Sequence, residues 1–234
     1  MSSVRLRPPA QRGELRDRHE DGHRLHHLLW RLGPGVRVCS SAVLGGGIGP
    51  RAWILNAQVP GGYPRLDPDR HLAEIAAAEG LTGPGAGLMT AADVAAYTTG
   101  HDGGVTATVT AGLGVRGWAA VPDTATRAPR RPEDAEVPGA PFRPGTVNIV
   151  VTLPVALSDA ALVNAVATAT EAKVQALLDA GLDCSGTPTD AVCVAAPEPG
   201  QDGGEPFAGP RSTWGARIAR AVHTAVLAGA RTAP

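Results

Sequence analysis

Apolar and polar residues alternate most regularly over Thr146-Val147-Asn148-Ile149-Val150-Val151-Thr152-Leu153. Val147, Ile149, Val151 and Leu153 share one face, the period-two signature of a buried strand, while Thr146 and Asn148 point to the other. Pro154 cannot donate to a sheet ladder and ends the strand. A helix is expected from Ser158 to Leu178, with Ser158 as its N-cap, Asp159 complementing the helix dipole and Gly181 as the stop. Val163, Val166, Thr170, Val174 and Leu177 recur three or four apart and predict its buried stripe. Asn164, Thr168, Glu171 and Gln175 form a polar stripe that reads either as a solvated face or as the lining of a site. Gly186-Thr187-Pro188-Thr189-Asp190 then leads into a second strand, Ala191 to Ala196.

The remaining pattern is shorter-ranged. Val36 to Leu44 alternates as a strand, and so does Arg51 to Val59, with Trp53, Leu55, Ala57 and Val59 on one face and Ile54, Asn56 and Gln58 on the other. The Gly45-Gly46-Gly47-Ile48-Gly49-Pro50 turn between them predicts an antiparallel hairpin. Asp67-Pro68 opens a helix through Leu72, Ile75 and Ala76 that stops at Gly80. A loop over residues 82–87 precedes Thr90-x-x-Asp93, which reads as a capping box for a short helix ending near Tyr97. Val105 to Ala111 alternates with threonine, giving a strand with a hydroxyl-lined second face, and Leu113 to Val121 reads as its returning neighbour. Thr126 to Pro144 is a long Pro- and charge-rich loop, a length that in a compact domain marks function, disorder or processing. Ser212 caps a final helix with Ile218, Ala221, Val222, Ala225 and Val226 on one face, ending at Gly229. No internal repeat is present. Hairpins mixed with edge helices predict an α+β fold with mainly antiparallel sheets.

Composition narrows the function classes. The 234 residues suffice for one sizeable domain, placed at 23–229 between an Arg-rich, Pro-punctuated tail (1–22, expected disordered) and a short C-terminal tail (230–234). Charge is balanced at net −1, which argues against nucleic acid or an anionic membrane as a required partner. Aromatics are 3%, so the core is built from Ala, Val, Leu and Ile. No run reaches the ~20 apolar residues of a membrane span, and no signal-like apolar segment opens the chain. Cys39, Cys184 and Cys193 form no C-x-x-C and read as buried small residues in a reducing cytoplasm. His23, His26 and His27 lie without a Cys or carboxylate constellation at ligand spacing and read as a surface loop, so no metal is expected.

Candidate chemistry concentrates in a few places. The Gly46-Gly47 run could cradle a phosphate or an oxyanion through free amides, although it lacks a P-loop ending. The helix start after Thr90 offers amides to an anion, or is an ordinary cap. Glu171 and Lys173 cannot face each other at i, i+2, so only one of them is expected at a site. Asp190 reads as orienting a catalytic group or capping a turn. Asn56 and Asn148 each offer donor and acceptor and suit carboxamide recognition.

Several segments together resemble one family. Ser40-Ser41-Ala42, Leu55-Asn56-Ala57-Gln58-Val59, Gly87-Leu88-Met89-Thr90-Ala91-Ala92-Asp93-Val94, Thr110-Ala111-Gly112-Leu113, Gly145-Thr146-Val147-Asn148, the Asn164 to Lys173 stretch with Thr168-Ala169-Thr170-Glu171-Ala172-Lys173, and Thr189-Asp190-Ala191-Val192 occur in this order. They are similar to the adenosylcobinamide amidohydrolases of cobamide salvage, the CbiZ family, over residues 23–229. Val115 and Pro188 depart from that pattern. The resemblance implies hydrolysis of the aminopropanol amide of adenosylcobinamide to give adenosylcobyric acid. It implies no cofactor, since the corrinoid enters as substrate with its own cobalt, and it leaves an oligomer open. Ser40, Ser41, Gly46, Gly47, Asn56, Asn164, Thr189 and Arg211 are the substrate-binding candidates it implies. A fainter similarity, Gly145-Thr146 before a strand and Thr189-Asp190 before another, is to ornithine acetyltransferases and DmpA-type aminopeptidases. It implies a four-layer α-β-β-α sandwich and self-cleavage before Thr146. Thr146 would then be the nucleophile with its own amine as base, and Thr90 an oxyanion candidate. Asn148, Asp190, Glu171 and Lys173 complete the catalytic candidates. The alternatives are a self-processing aminopeptidase or acyltransferase with another substrate, and a corrinoid-binding protein without catalysis.

Overall fold

The computed structural model describes residues 12–120 and 145–232. The long loop at 126–144, the first eleven residues and the last two lie outside the described residues, so the expectations placed on them stand as they are. In chain order the strands are β1 (Glu14–Glu20), β2 (His23–Arg31), β3 (Val36–Ser40), β4 (Gly47–Pro50), β5 (Trp53–Gln58), β6 (Gly85–Thr90), β7 (Thr98–Asp102), β8 (Val105–Leu113), β9 (Gly145–Thr152) and β10 (Ala191–Pro197). The helices are α1 (Pro68–Ala78) between β5 and β6, α2 (Asp159–Asp179) between β9 and β10, and α3 (Thr213–Thr232) at the end, with a 3₁₀ turn at Val94–Ala96.

Two mixed sheets face each other. One runs β1-β2-β5-β6 and the other β4-β3-β10-β9-β8-β7. Each contains one parallel pair, β5 with β6 and β9 with β10, and all other pairs are antiparallel. Each parallel pair is joined by a crossover helix, as parallel neighbours require. Helix α1 covers the outside of the smaller sheet, packing Leu72, Ile75 and Ala76 on Leu29, Leu55 and Ala57. Helices α2 and α3 cover the outside of the larger one, over Val147, Ile149, Val151, Val192 and Val194. Between the sheets Leu28, Trp30, Ile54 and Leu88 meet Val36, Val38, Val150 and Cys193. The layering is α-β-β-α and the class is α+β, as expected.

Why the strands are strands differs between them. β9 and β10 are buried on both faces, one face covered by helices and the other by the second sheet, although Thr146, Asn148 and Thr152 make one face of β9 largely polar. β1 has almost no apolar residues and was expected as part of a disordered tail through residue 22; that expectation fails over Glu14–Glu20. An edge strand needs only its backbone partner, here β2 in unbroken antiparallel register, and its inward face is tied down by charge: Arg18 donates to Glu20 and to the Gln58 carbonyl, and Arg16 reaches Glu79 at 3.2 Å. The three histidines lie on β2 rather than on a loop, with His27 fully buried.

Other pairings correct the sequence reading. Val36–Ser40 and Trp53–Gln58 are not a hairpin but lie in different sheets, because the turn expected at residues 45–50 is itself β4, which takes β3's edge. Residues 85–87 of the expected loop begin β6. The neighbours of β8 are β7 and β9, not residues after Leu113; β7 escaped notice because Thr98–Asp102 carries no apolar side chain. Asp67 precedes α1 without a capping hydrogen bond, since Arg65 holds its carboxylate at 2.9 Å. Thr90 closes β6, and it is Asp93 that caps the 3₁₀ turn by accepting from the Ala95 amide.

The inward face of α2 also differs from the one its spacing predicts. Ser158 caps the helix as expected, but the buried face is Ala161, Leu162, Ala165, Thr168, Ala169, Ala172, Lys173, Ala176 and Leu177, while Val163 is 57% exposed. Alanines face inward because α2 packs closely against both the sheet and α3; larger side chains would hold the layers apart. Helix α3 buries the predicted stripe, and Ser212 accepts from the Gly215 amide to cap it.

Candidate functional site

The start of β9 gathers the densest set of polar side chains. Thr146 stands opposite Gly112 of β8, and its hydroxyl lies 2.6 Å from that of Thr189. Both hydroxyls lie within donor reach of the carbonyl oxygen of Gly145, at 2.8 Å and 3.0 Å. Two hydroxyl protons are thus shared among three oxygens, and a donor on the carbonyl oxygen of the peptide preceding Thr146 polarises it.

One residue further on, the Val147 amide donates to Asp190 Oδ1 at 2.8 Å. Asp190 also accepts from the Thr187 amide at 3.1 Å and from the Thr187 hydroxyl, and its other face pairs with the Lys173 ammonium. The side chains of Lys173 and Asp190 are only 8% and 11% exposed. A pair this sheltered is costly to break, since the remaining charge would be stranded: roughly 3–5 kcal/mol in comparable cases. The pair is reachable only because Gly186 lies between its partners. A β-carbon there would sit 2.1 Å from Asp190 Oδ2 and 2.5 Å from Lys173 Nζ, at φ +148°. The 186–190 loop therefore wraps a carboxylate that fixes where β9 begins.

A second network crosses the gap between the sheets. Asn148, two residues along β9 from Thr146 and on the same face, donates through Nδ2 to Asn56 Oδ1 at 2.8 Å and to the Met89 carbonyl at 3.0 Å. Asn56 in turn donates to the Thr110 hydroxyl at 3.0 Å. All three side chains are buried, and Asn148 Oδ1 has no partner. Through Met89 this network holds the end of β6, and with it Thr90, against the site strand. The Thr90 hydroxyl accepts from the Ala92 amide, which leaves its own proton to donate.

Other candidates fall elsewhere. Ser40, the last residue of β3, and Ser41 just after it grip Val192: Ser40 donates to its carbonyl at 3.1 Å and Ser41 accepts from its amide at 3.0 Å. They anchor β10 two residues beyond Asp190. Gly46 and Gly47 lie at the edge of the larger sheet, where Gly47 stands opposite Ser40 and Arg51 donates to the carbonyls of Gly45 and Gly46. On α2, Lys173 reaches the cluster, whereas Glu171 is exposed. Asn164 lies nine residues back, about 13 Å along the helix axis at ~1.5 Å per residue, beside Gly209. Arg211 is exposed next to the α3 cap, and Arg217 lies over the Trp214 ring at 4.5 Å. The sequence reading missed Thr187, Gly186, Thr110 and the Met89 carbonyl. The Thr187-x-x-Asp190 spacing was a signal for the first; the others depend on contacts far apart in sequence.

Cysteine chemistry finds no support here. Burial pushes the Cys193 thiol up to about 12 and raises those of Cys39 and Cys184, so none is a thiolate at neutral pH. Among the described residues no group of three or more His, Cys, Asp or Glu could hold a metal ion, and no helix is long and apolar enough to cross a membrane.

Comparison with known proteins agrees on one family. The adenosylcobinamide amidohydrolase family model matches residues 12–233. The adenosylcobinamide amidohydrolase of Methanosarcina mazei is 32% identical over 196 residues, covering 81% of this chain and 88% of that protein. The protein of the same name from Halobacterium salinarum is 42% identical over 101 residues, covering 43% of this chain and 42% of its own. The matched span begins at the edge strand β1 and includes every element of both sheets, so the chain belongs to the adenosylcobinamide amidohydrolase family.

Proposed function

We propose that the protein hydrolyses the amide joining aminopropanol to the corrinoid of adenosylcobinamide, releasing adenosylcobyric acid for cobamide salvage, and that Thr146 is its nucleophile. The observation that carries the mechanism is the pair of hydroxyls, Thr146 and Thr189, on the Gly145 carbonyl oxygen.

Maturation comes first. Thr146 Oγ adds to the carbonyl carbon of Gly145, and the Thr189 hydroxyl stabilises the charge growing on the oxygen it already touches. The Thr146 nitrogen departs with the hydroxyl's proton, leaving Gly145 esterified to Oγ. Water cleaves the ester, giving one fragment ending at Gly145 and a free α-amine on Thr146. That amine is the base that a threonine hydroxyl otherwise lacks.

Substrate follows the same path. The amine takes the Oγ proton, Oγ attacks the amide carbonyl, and aminopropanol leaves with the proton. Water then hydrolyses the ester to the carboxylate product. Asp190, tied to the Val147 amide and paired with Lys173, is a positioning residue that keeps the nucleophile's strand in place. Thr90, held by the Asn148–Met89 bond, is the oxyanion donor.

The test is mass spectrometry of purified protein incubated with adenosylcobinamide. Adenosylcobyric acid plus aminopropanol supports the reaction. Two protein fragments meeting between Gly145 and Thr146 support the processed nucleophile, whereas an intact, fully active chain removes it. Untouched cobinamide beside an active control enzyme overturns the substrate assignment.

A further inference from the structure

We infer that residues 114–119 form the substrate-facing rim of this site, with Trp118 as a stacking platform for a flat conjugated face of the substrate and Val115 as the apolar wall beside it. The inference rests on the proposed function for the identity of the substrate.

This strap leaves β8 at Leu113, which stands opposite Gly145. Val115 comes next to the same peptide: a β-carbon added at Gly145 would lie 2.7 Å from Val115 Cβ. The strap then runs to the other side of the cluster. Gly117 donates to the Gly186 carbonyl and accepts from the Ser185 amide, both at 3.0 Å, and Gly186 is the residue packed between Asp190 and Lys173. Ala119 donates to Ser185 Oγ at 2.8 Å, and the Trp118 indole donates to Asp183 Oδ1 at 3.1 Å. The segment thus spans from the nucleophile's peptide to the carboxylate–ammonium pair.

Arg116 is exposed as well, but its guanidinium is turned back to donate to the Leu113 carbonyl at 3.1 Å; the other large side chains this anchored segment presents are apolar. Val115 is 47% and Trp118 44% exposed. Trp118 has its one polar atom satisfied and its edge fixed, which leaves the ring face as its unused surface. Holding a large aromatic group rigid beside a site lowers the ordering cost of binding. The polar cluster supplies chemistry at one amide but little area, whereas a corrinoid carrying an adenosyl group offers two broad conjugated surfaces, the macrocycle and the adenine. Either would be recognised by stacking on an indole, which in comparable systems changes affinity about tenfold or more per stacked ring.

Equilibrium binding and turnover of adenosylcobinamide are compared for the full chain and for Trp118→Ala, Trp118→Phe and Val115→Ser. The expected result is a Kd and KM about tenfold higher for Trp118→Ala with kcat within about threefold, near-complete recovery in Trp118→Phe, and a smaller rise for Val115→Ser. Repeating the titration with cobinamide that lacks the adenosyl group separates the sources: an undiminished Trp118→Ala penalty assigns the macrocycle, and its disappearance assigns the adenine. Should Trp118→Ala fold poorly, the Phe and Val115→Ser variants still decide the matter through Kd. Unchanged Kd and KM in the folded variants overturn the rim. A wild-type chain that binds cobinamide without cleaving it sinks the proposed reaction while leaving the rim to be judged on Kd, and one that does neither removes both.

Discussion

At the scale of single residues, the site separates groups that react from groups that hold them. Thr146→Ala removes the proposed nucleophile, and its activity is expected to fall by roughly 10³-fold or more, as when a covalent nucleophile is deleted, with the protein mass showing an uncut chain; Thr146→Ser should keep both processing and activity. Gly186→Ala tests the holding groups. Its methyl would occupy the space of the Lys173–Asp190 contact at a left-handed φ, so we expect a loss of about 2 kcal/mol or more in chemical denaturation together with lowered kcat. His27 carries a pH prediction. Burial lowers its proton affinity below the ordinary 6.5, and Arg18 and Arg16 act in the same direction, while the Glu79 carboxylate at 3.2 Å opposes them. Between its folded value and 6.5 the unfolded chain binds more protons than the folded one. Stability contributed by neutral His27 is thus present above about pH 6.5 and declines as pH falls below it. The thermal midpoint should drop across that window, and the drop should shrink in His27→Gln.

At the scale of elements, close approach replaces bulk as the packing device. The chain has few aromatics, and its layers are brought together by small residues instead. Gly100 on β7 meets the backbone of α3: a β-carbon would fall 2.1 Å from the Ala221 carbonyl oxygen. Backbone cannot be moved aside as a flexible side chain can, so Gly100→Ala should cost at least about 2 kcal/mol of stability, measured by denaturant unfolding. Helix α2 offers the paired control. Ala165 faces the core and Val163 faces solvent, so Ala165→Leu should destabilise by about 1–3 kcal/mol while Val163→Lys stays within about 0.5 kcal/mol. The reverse order would mean that the helix is rotated from the face seen here.

At the scale of the whole molecule, the site exists because two sheets meet. β9 and the loop leading into β10 supply Thr146 and Asp190 from the larger sheet; β5 and β6 supply Asn56, Met89 and Thr90 from the smaller; α2 reaches across an end with Lys173. The Asn148–Asn56 bond is one of three side-chain hydrogen bonds, with Asn148 to the Met89 carbonyl and Asn56 to Thr110, that cross between the sheets beside the apolar seam. A double-mutant cycle with Asn56→Ala and Asn148→Ala should give a coupling energy of about 0.5–3 kcal/mol, and each single variant should lower activity by loosening Thr90 relative to Thr146. Additive single effects would mean that the two sheets are positioned by the apolar seam alone.

Local chemistry is enough to dictate the β9–α2–β10 unit, the Ser158 and Ser212 caps, the α3 stripe and the α+β class. These follow from side-chain period, capping and turn residues within a few positions of one another. The family resemblance was likewise legible, since it rests on short runs such as Gly145-Thr146-Val147-Asn148 and Thr189-Asp190. Only tertiary structure decided the rest. β1 and β7 are strands because a partner backbone lies beside them, not because of their side chains. β3 and β5 belong to different sheets because β4 captures an edge that alternation cannot reveal. Val163 turns outward because close helix packing rewards alanine over a larger apolar residue. Lys173 rather than Glu171 reaches the site because Asp190, 17 residues away, waits on that face. Hydrogen bonds between Thr146 and Thr189, or Asn56 and Asn148, join positions 43 and 92 residues apart; their geometry comes into being only when both sheets have closed.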